Sequence, residues 1–138
     1  MRALLSVADR TGIVDLAREL LDQGIEVYAT DGTRIELEGA GLEAGVVGDI
    51  TGYDDLVGGL VKTYHPQIYA GILARRHVPE DMADLEKHGL GPFDIVVVSI
   101  RTFAPQIGRR VVAIDEAVEM IDVGGLSLLG AAARNFGG

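Results

Sequence analysis

A run of apolar, mostly β-branched residues in the second half of the chain constrains the fold more than any other feature. Residues 93–100 read FDIVVVSI. Such a near-continuous run is typical of a parallel strand that is covered on both faces. We therefore predict a central strand over Phe93–Ile100. Because parallel neighbours need long crossover connections, usually helices, helices should alternate with strands through the rest of the chain.

The other segments show this alternation. Apolar runs predict strands over residues 2–7 and 25–30 and a weak strand over 44–47. Apolar spacing and terminal residues predict helices over residues 13–21, 33–40, 79–88, 115–121 and 126–135. Residues 54–60 suit a helical turn that the pair Gly58-Gly59 weakens. Together they predict an α/β fold, a three-layer sandwich with a mainly parallel sheet.

Composition limits the class of protein. A length of 138 residues with 48% hydrophobic residues suits one domain, residues 1–138, around one core. The net charge of −9 argues against a general nucleic-acid surface. No apolar run approaches the ~20 residues of a membrane span, so no membrane partner is expected. The absence of cysteine excludes disulfides and thiolate metal sites and fits a cytoplasmic protein.

A dense group of polar side chains occupies the segment Lys62–Arg76, which begins Lys-Thr-Tyr-His-Pro. Pro66 biases the residue before it away from helix, so this run is interpreted as a bend. An ammonium, hydroxyls, an imidazole and two closing guanidiniums suit an anionic small molecule. A polar loop packed on the core is an equally good interpretation from the chemistry alone.

Ligands of such sheets bind beyond the carboxyl ends of the strands. Residues 8–12 follow the first predicted strand, residues 30–33 the second and residues 99–103 the central strand. The first two lead into helices, whose free N–H groups and dipoles attract anions. They are also compatible with ordinary loops and capping threonines. In the turn of residues 122–125, Asp122 suits an N-cap or a ligand contact.

Several of these segments resemble one known family, the IMP cyclohydrolase domain of the bifunctional enzyme that ends purine biosynthesis. The matching motifs, in chain order, are Ser6-Val7 with Asp9 and Thr11-Gly12, Gly32-Thr33, Ile50-Thr51-Gly52, Val61-Lys62-Thr63 with His65-Pro66, Gly71–Arg75, and Ile121–Gly125 followed by Ala131–Ala133. The Lys-Thr-x-His-Pro block leading into Gly-Ile-Leu-Ala-Arg is the specific part. The two glycine loops are shared with the wider methylglyoxal-synthase-like superfamily.

The resemblance implies a methylglyoxal-synthase-like fold and a ring-closing reaction. The carboxamide nitrogen of 5-formamidoimidazole-4-carboxamide ribotide attacks its own formyl carbon and water leaves, with no metal or other cofactor. It also implies a homodimer and a purine-precursor nucleotide as the partner. Carried over position by position, it implies catalytic roles for Lys62, Asp122, Arg101 and Arg134. The residues implied to bind substrate are Ser6, Arg10, Thr11, Thr30, Asp31, Gly32, Thr33, Thr63, Ser99, Ile100, Val123 and Gly124.

This sequence departs from the family pattern at the reacting end. Arg101 stands where the family has a tyrosine, Arg134 where it has a second lysine, and Leu60 where it has an arginine. Arginine cannot accept a proton near neutral pH, which leaves Asp122 for base work with Lys62 as its partner. In the phosphate loops, Asp31 replaces a glycine.

Three functions are compatible with this pattern. They are a cyclohydrolase-like enzyme acting on the formylated ribotide or a related carboxamide nucleotide, a catalytically weakened nucleotide-binding module, and a methylglyoxal-synthase-type lyase. Family cyclohydrolase domains continue for some tens of residues beyond the position of Gly138, so a C-terminally shortened domain is also expected.

Overall fold

A computed structural model describes residues 1–53, 56–102 and 113–137 of the chain. Strands and helices alternate along these residues. The strands are β1 (Arg2–Val7), β2 (Glu26–Ala29), β3 (Gly45–Val46) and β4 (Ile95–Ser99). The helices are α1 (Ile13–Asp22), α2 (Asp31–Gly39), α3 (Val47–Thr51), α4 (Pro66–Leu73), α5 (Pro79–Lys87), α6 (Ile114–Glu119) and α7 (Val123–Arg134).

The four described strands form one parallel sheet in the order β3-β2-β1-β4. In β1, successive side chains point to opposite faces of the sheet. Ala3 and Leu5 pack with α1 and α2 on one face, whereas Leu4 packs with α4 and α7 on the other. Helices therefore cover both faces, and the predicted three-layer α/β fold is confirmed. Within the described residues, no helix is both long and apolar enough to cross a membrane.

The strand predicted to be central lies elsewhere in the sheet. Within the described residues, β4 pairs with β1 and forms one edge of the sheet, and all five of its residues are half-buried. β1 and β2 are the inner strands. An unbroken β-branched run indicates that helices cover both faces of a strand, but it does not indicate whether the strand pairs with neighbours along both edges. The sequence therefore did not predict the position of β4 in the strand order.

The Lys62–Arg76 segment differs from its prediction as well. The bend ends at His65, which is extended (φ −135°, ψ 138°), and α4 starts at Pro66. The same proline that disfavours helix at the preceding residue suits the first helical position, because its fixed φ is already helical and its missing N–H is not needed there. The sequence-based interpretation used only the first of these two effects.

Two other segments were assigned wrongly from the sequence. Helix α3 was not predicted, because its five residues are too short for apolar spacing to be visible. Helix α7 starts at Val123 and not at Leu126, so the glycine pair lies in its first turn. Residues 56–60 form turns with positive φ at Val57, Gly58 and Gly59, whereas the first two residues of the predicted helical turn lie outside the described residues.

Two helical glycines should respond oppositely to alanine. A Cβ at Gly71 in α4 would lie 3.0 Å from Phe93 Cδ2 and 3.1 Å from the Gly91 carbonyl oxygen. A Cβ at Gly130 in α7 would have no neighbour within 4 Å. We expect Gly71→Ala to lower the free energy of unfolding by about 1–3 kcal/mol through overpacking. Gly130→Ala should raise it by about 0.5–1 kcal/mol through helix propensity.

Urea denaturation of both variants and the wild type measures these changes. Equal effects of the two substitutions would contradict the close packing of α4 against the segment that leads into β4.

Candidate functional site

A cavity of about 740 Å³ opens at the carboxyl edge of the sheet. Its walls come from the loops that follow β1, β2 and β4, from the turn before α4 and from the residues around the start of α7. The described residues that line it are Ser6, Val7, Ala8, Asp9, Arg10, Thr30, Gly32, Thr33, Gly59, Leu60, Lys62, Thr63, Ile100, Arg101, Thr102, Glu119, Met120, Ile121, Asp122, Val123, Gly124 and Gly125.

The loop after β1 is held by side chains on both of its flanks. The hydroxyl of Ser99, at the end of β4, accepts hydrogen bonds from the N–H groups of Ala8 (2.8 Å) and Asp9 (2.9 Å). The Asp9 carboxylate accepts one from the Thr11 N–H (3.0 Å). Hydrogen bonds from the backbone and side chain of Thr11 lower the pKa of Asp9. Asp9 therefore places a negative charge on the cavity wall at neutral pH.

The loop after β2 is fixed by two threonines. Thr33 is fully buried, and its hydroxyl accepts a hydrogen bond from the Val7 N–H at 3.1 Å. Its own N–H donates to the Thr30 carbonyl oxygen at 2.8 Å. The side chain of Thr33 therefore joins the two loops. The hydroxyls of Thr30 and Ser6, 3.3 Å apart, lie on the cavity wall.

Arg10 crosses from the first loop to the second. A Cβ at Gly32 would lie 3.0 Å from the Arg10 guanidinium, so this side chain packs directly on the backbone at the start of α2. The same guanidinium pairs with Glu36 of α2 at 3.4 Å. A cation beside a helix N-terminus is an arrangement that attracts phosphate.

Lys62 reaches the same end of α2. Its ammonium forms an ion pair with the carboxylate of Asp31, the first residue of α2. Both groups are partly shielded, with 24% of the lysine side chain and 38% of the aspartate side chain exposed. The ammonium that the family resemblance places in catalysis is therefore held by an acid at the position where the family has glycine.

Asp122 caps α7. One carboxylate oxygen accepts a hydrogen bond from the Gly125 N–H at 2.8 Å, and the other accepts one from the Arg101 N–H at 3.0 Å. A Cβ at Gly125 would lie 2.8 Å from the carboxylate, so this turn requires glycine. The N-cap interpretation of Asp122 is confirmed, and the same residue lines the cavity, so its contact with a ligand stays a prediction.

Two contacts join the Lys62 segment to the start of α7. Thr63 is buried, and a Cβ at Gly124 would lie 3.3 Å from its hydroxyl. Tyr64 donates a hydrogen bond to the Val123 carbonyl oxygen at 2.8 Å, and its hydroxyl also contacts that of Ser127. These contacts bring Lys62 and Asp122 to one cavity, as the sequence predicted.

The structure brings most of the residues predicted from the sequence to this cavity, with four exceptions. Thr11, Asp31, Ser99 and Arg134 are not among the lining residues. Thr11 and Ser99 shape the first loop, and Asp31 reaches the site through Lys62. Arg134 is exposed in the last turn of α7, so the structure does not unite it with Lys62 and Asp122.

Three polar groups of the Lys62–Arg76 segment serve the fold. The His65 Nδ1 accepts a hydrogen bond from the Gln67 N–H and caps α4. The Arg75 guanidinium pairs with Asp81 at the start of α5 (2.8 Å), and that of Arg76 pairs with Asp94 (2.7 Å). For these three side chains the contacts agree with the other interpretation, a polar segment packed on the core, and anion binding by them stays a prediction.

Among the lining residues that belong to no site segment proposed from the sequence are Glu119 and Met120. They lie where α6 ends, two to three residues before Asp122. Their only signal in the sequence was this closeness to a candidate residue. Within the described part of the chain, no group of three or more His, Asp or Glu side chains could hold a metal ion.

Comparison with known proteins gives consistent matches. The family model for the MGS-like domain matches residues 12–127. The bifunctional purine biosynthesis protein PurH of Chloroflexus aurantiacus is 51% identical over 136 residues, which are 99% of this chain and 27% of that protein. PurH of Lacticaseibacillus casei is 48% identical over 134 residues, 97% of this chain and 26% of the relative. This chain thus spans about a quarter of the length of these relatives and corresponds to their N-terminal part.

A solved structure shares the fold. The crystal structure of ForH superposes with a TM-score of 0.84 at 35% sequence identity, covering 99% of this chain and 70% of that chain. The predicted methylglyoxal-synthase-like fold is therefore confirmed.

The cap formed by Asp122 gives a prediction about stability. Asp122→Ala removes the acceptor of two backbone N–H groups and should lower the free energy of unfolding by about 1 kcal/mol. Asp122→Asn keeps a side-chain oxygen for capping and should cost less than half as much. Urea denaturation measures both values. Equal losses in the two variants would contradict the capping role.

The pairing of Arg75 with Asp81 gives a prediction about acid stability. Hydrogen bonds from Arg75 lower the pKa of Asp81 from 3.8 to about 2. This contribution to stability is complete above pH 3.8 and is lost as the pH falls through 2. Arg75→Ala should therefore be less stable than the wild type at pH 5, and the difference should shrink between pH 4 and pH 2. Thermal unfolding across this range tests it, and a difference independent of pH would contradict it.

Proposed function

This chain belongs to the MGS-like domain family, and we propose that it is an IMP cyclohydrolase-like domain of purine biosynthesis. Its substrate in this proposal is 5-formamidoimidazole-4-carboxamide ribotide or a closely related carboxamide nucleotide. The product is the closed purine ring, and water is released. Similarity to the N-terminal part of PurH supports the pathway, because that protein is named for purine biosynthesis.

The observation that carries the proposal is the shared cavity of Lys62 and Asp122. These residues are 60 positions apart in the chain, and they come from different structural elements. They are also the two positions at which the sequence keeps the reacting groups that the family resemblance implies. A cavity of about 740 Å³ falls within the usual range for small-molecule sites.

Ring closure is intramolecular, so the domain has to hold the reacting conformer and move protons. The carboxamide nitrogen bonds to the formyl carbon and gives up one of its two protons. The bond between the formyl carbon and its oxygen then breaks, and the oxygen leaves as water with two protons, the second of which comes from the formamide N–H as its nitrogen forms the C=N double bond of the ring. In our proposal the Asp122 carboxylate accepts the proton from the carboxamide nitrogen, and the Lys62 ammonium donates to the formyl oxygen. The N–H groups of Gly125 and Arg101 orient the carboxylate for this role.

The phosphate of the substrate is assigned to the part of the cavity beside the start of α2, which the Lys62 ammonium also reaches through Asp31. Arg10, Ser6 and Thr30 supply a guanidinium and two hydroxyls beside the N-terminus of α2. A helix N-terminus adds favourable electrostatics for an anion. The Thr33 hydroxyl accepts a hydrogen bond from the Val7 N–H and so holds this loop against β1. We therefore assign Thr33 a structural role in place of the contact with substrate that the resemblance implies.

Arg101 is a cation that lines the cavity at a position where the family has a tyrosine, and its backbone N–H bonds the Asp122 carboxylate. It can stabilise a developing negative charge, but it cannot exchange a proton near neutral pH. Arg134 has the same chemical limit and does not line the described cavity. We therefore assign proton transfer to Lys62 and Asp122 and leave Arg134 without a catalytic role.

One contact favours a second candidate, a nucleotide-binding module with weakened catalysis. Lys62 is already paired with Asp31, and this pairing would slow proton transfer if it persisted when substrate is bound. We further propose that residues 1–138 act as a single cytoplasmic domain and form a homodimer.

Ring closure by the purified chain tests the proposal directly. Lys62→Ala and Asp122→Asn should each reduce kcat by about 10²–10³-fold, because each removes a group that acts on the reacting atoms. Conversion of the formylated ribotide to IMP is followed by ultraviolet absorbance. Lys87→Ala, which removes the other lysine of the chain from the end of α5, should leave kcat unchanged.

Absence of ring closure in the wild type, together with tight binding of IMP, would favour the binding module over the enzyme. Turnover that survives both Lys62→Ala and Asp122→Asn would contradict the proposed roles of these residues.

A further inference from the structure

Helix α2 supplies an acid to each of two cations on the cavity wall. Asp31 pairs with Lys62, and Glu36 pairs with Arg10 at 3.4 Å. Among the described residues, Arg101 is the third cation on that wall, which also carries the carboxylates of Asp9, Glu119 and Asp122. The cavity therefore carries little net positive charge in its unliganded form, although the proposed substrate is a phosphate ester.

The two pairs on α2 differ in position and shielding. Asp31 is the first residue of α2, at the helix end where a negative charge is favoured. Glu36 lies in the second turn of α2, and both it and Arg10 are nearly half exposed. The Lys62 side chain is only 24% exposed, so solvent screens its pair with Asp31 less. Asp31 therefore competes with a ligand anion for the same ammonium and the same helix end.

We propose that Asp31 is a specificity-determining residue that acts as an internal counter-ion of Lys62, which an anionic ligand must displace. The inference rests on the proposed function, since it concerns the nucleotide site. It adds that the cavity discriminates among ligands by the charge of the group placed near the start of α2. A phosphate ester has to separate the Asp31–Lys62 pair, whereas a neutral nucleoside leaves that pair in place.

Binding of IMP and of its neutral counterpart inosine tests this discrimination. Asp31→Asn removes the charge with little change in shape. We expect it to tighten IMP binding by about 10-fold at low salt, since IMP no longer has to separate Lys62 from the Asp31 carboxylate. The affinity for inosine should stay within about 2-fold. Isothermal titration calorimetry measures both. Unchanged or weaker IMP binding would overturn the proposal.

Glu38→Gln is the matched control. It removes one negative charge from the same helix, but Glu38 pairs with Arg34 and does not line the cavity. IMP affinity should stay within about 2-fold of the wild type in this variant. An equal gain in Asp31→Asn and Glu38→Gln would show that net charge alone sets the affinity, and it would overturn the proposal.

The Lys62→Ala variant tests whether Asp31 affects IMP binding through Lys62. If Asp31 acts through Lys62, then Asp31→Asn should improve IMP binding by no more than about 3-fold when Lys62 is replaced by alanine. A full gain in that background would mean that Asp31 only repels phosphate, and it would overturn the counter-ion role.

Amine labelling separates failure of this inference from failure of the proposed function. The chain has only two lysines, Lys62 and Lys87, so Lys87 is an internal reference for acetylation measured by mass spectrometry. Asp31→Asn should raise the labelling of Lys62 relative to Lys87 by at least about 2-fold, because the pair with Asp31 is lost. Glu38→Gln should leave the ratio unchanged.

This result does not require any nucleotide to bind. If neither IMP nor inosine binds but the labelling ratio rises, the proposed function fails while the counter-ion role stands. If the ratio is unchanged in Asp31→Asn, the counter-ion role fails whatever binds.

Discussion

The site depends on the junction between the turn before α4 and the first turn of α7. Thr63 packs against Gly124, and Tyr64 donates to the Val123 carbonyl oxygen. The backbone of α7 takes part in the junction, so the contacts position the first turn of this helix as well as the side chains of Thr63 and Tyr64. The junction brings Lys62 next to a helix that begins 61 residues later. Without it, the cavity would lose one wall and the two candidate reacting groups would separate.

Electrostatics adds a second constraint at the opposite wall. Helix α2 begins with Asp31, where the related domains place glycine according to the family resemblance. Glycine at this position leaves the N-terminus of the helix accessible to a ligand anion. The carboxylate of Asp31 instead places a negative charge there and forms an ion pair with Lys62. The same cavity shape can therefore serve ligands of different charge. This separation of shape from charge explains how a chain can keep the fold of its family while its binding preference changes.

Much of the fold was predictable, because the apolar runs and the terminal glycines mark β1, α1, β2 and α2 within two residues of their ends. The start of α4 was not, because Pro66 has opposite effects on the residues before and at its position. The edge position of β4 among the described strands was also hidden, since pairing is a property of the sheet. For the site, the motifs identified Lys62 and Asp122. The ion pair between Lys62 and Asp31 forms because the fold brings the turn before α4 against the start of α2. No local sequence pattern predicts this contact between distant segments.

A crystal structure with bound IMP is the most direct measurement of the central claim, which is that one cavity holds both ends of a purine nucleotide. The account predicts the phosphate against Arg10, Ser6 and Thr30, with the purine ring between Lys62 and Asp122. It also predicts that Asp31 no longer contacts the Lys62 ammonium. IMP bound elsewhere, or with its ring out of hydrogen-bonding reach of both Lys62 and Asp122, would contradict it.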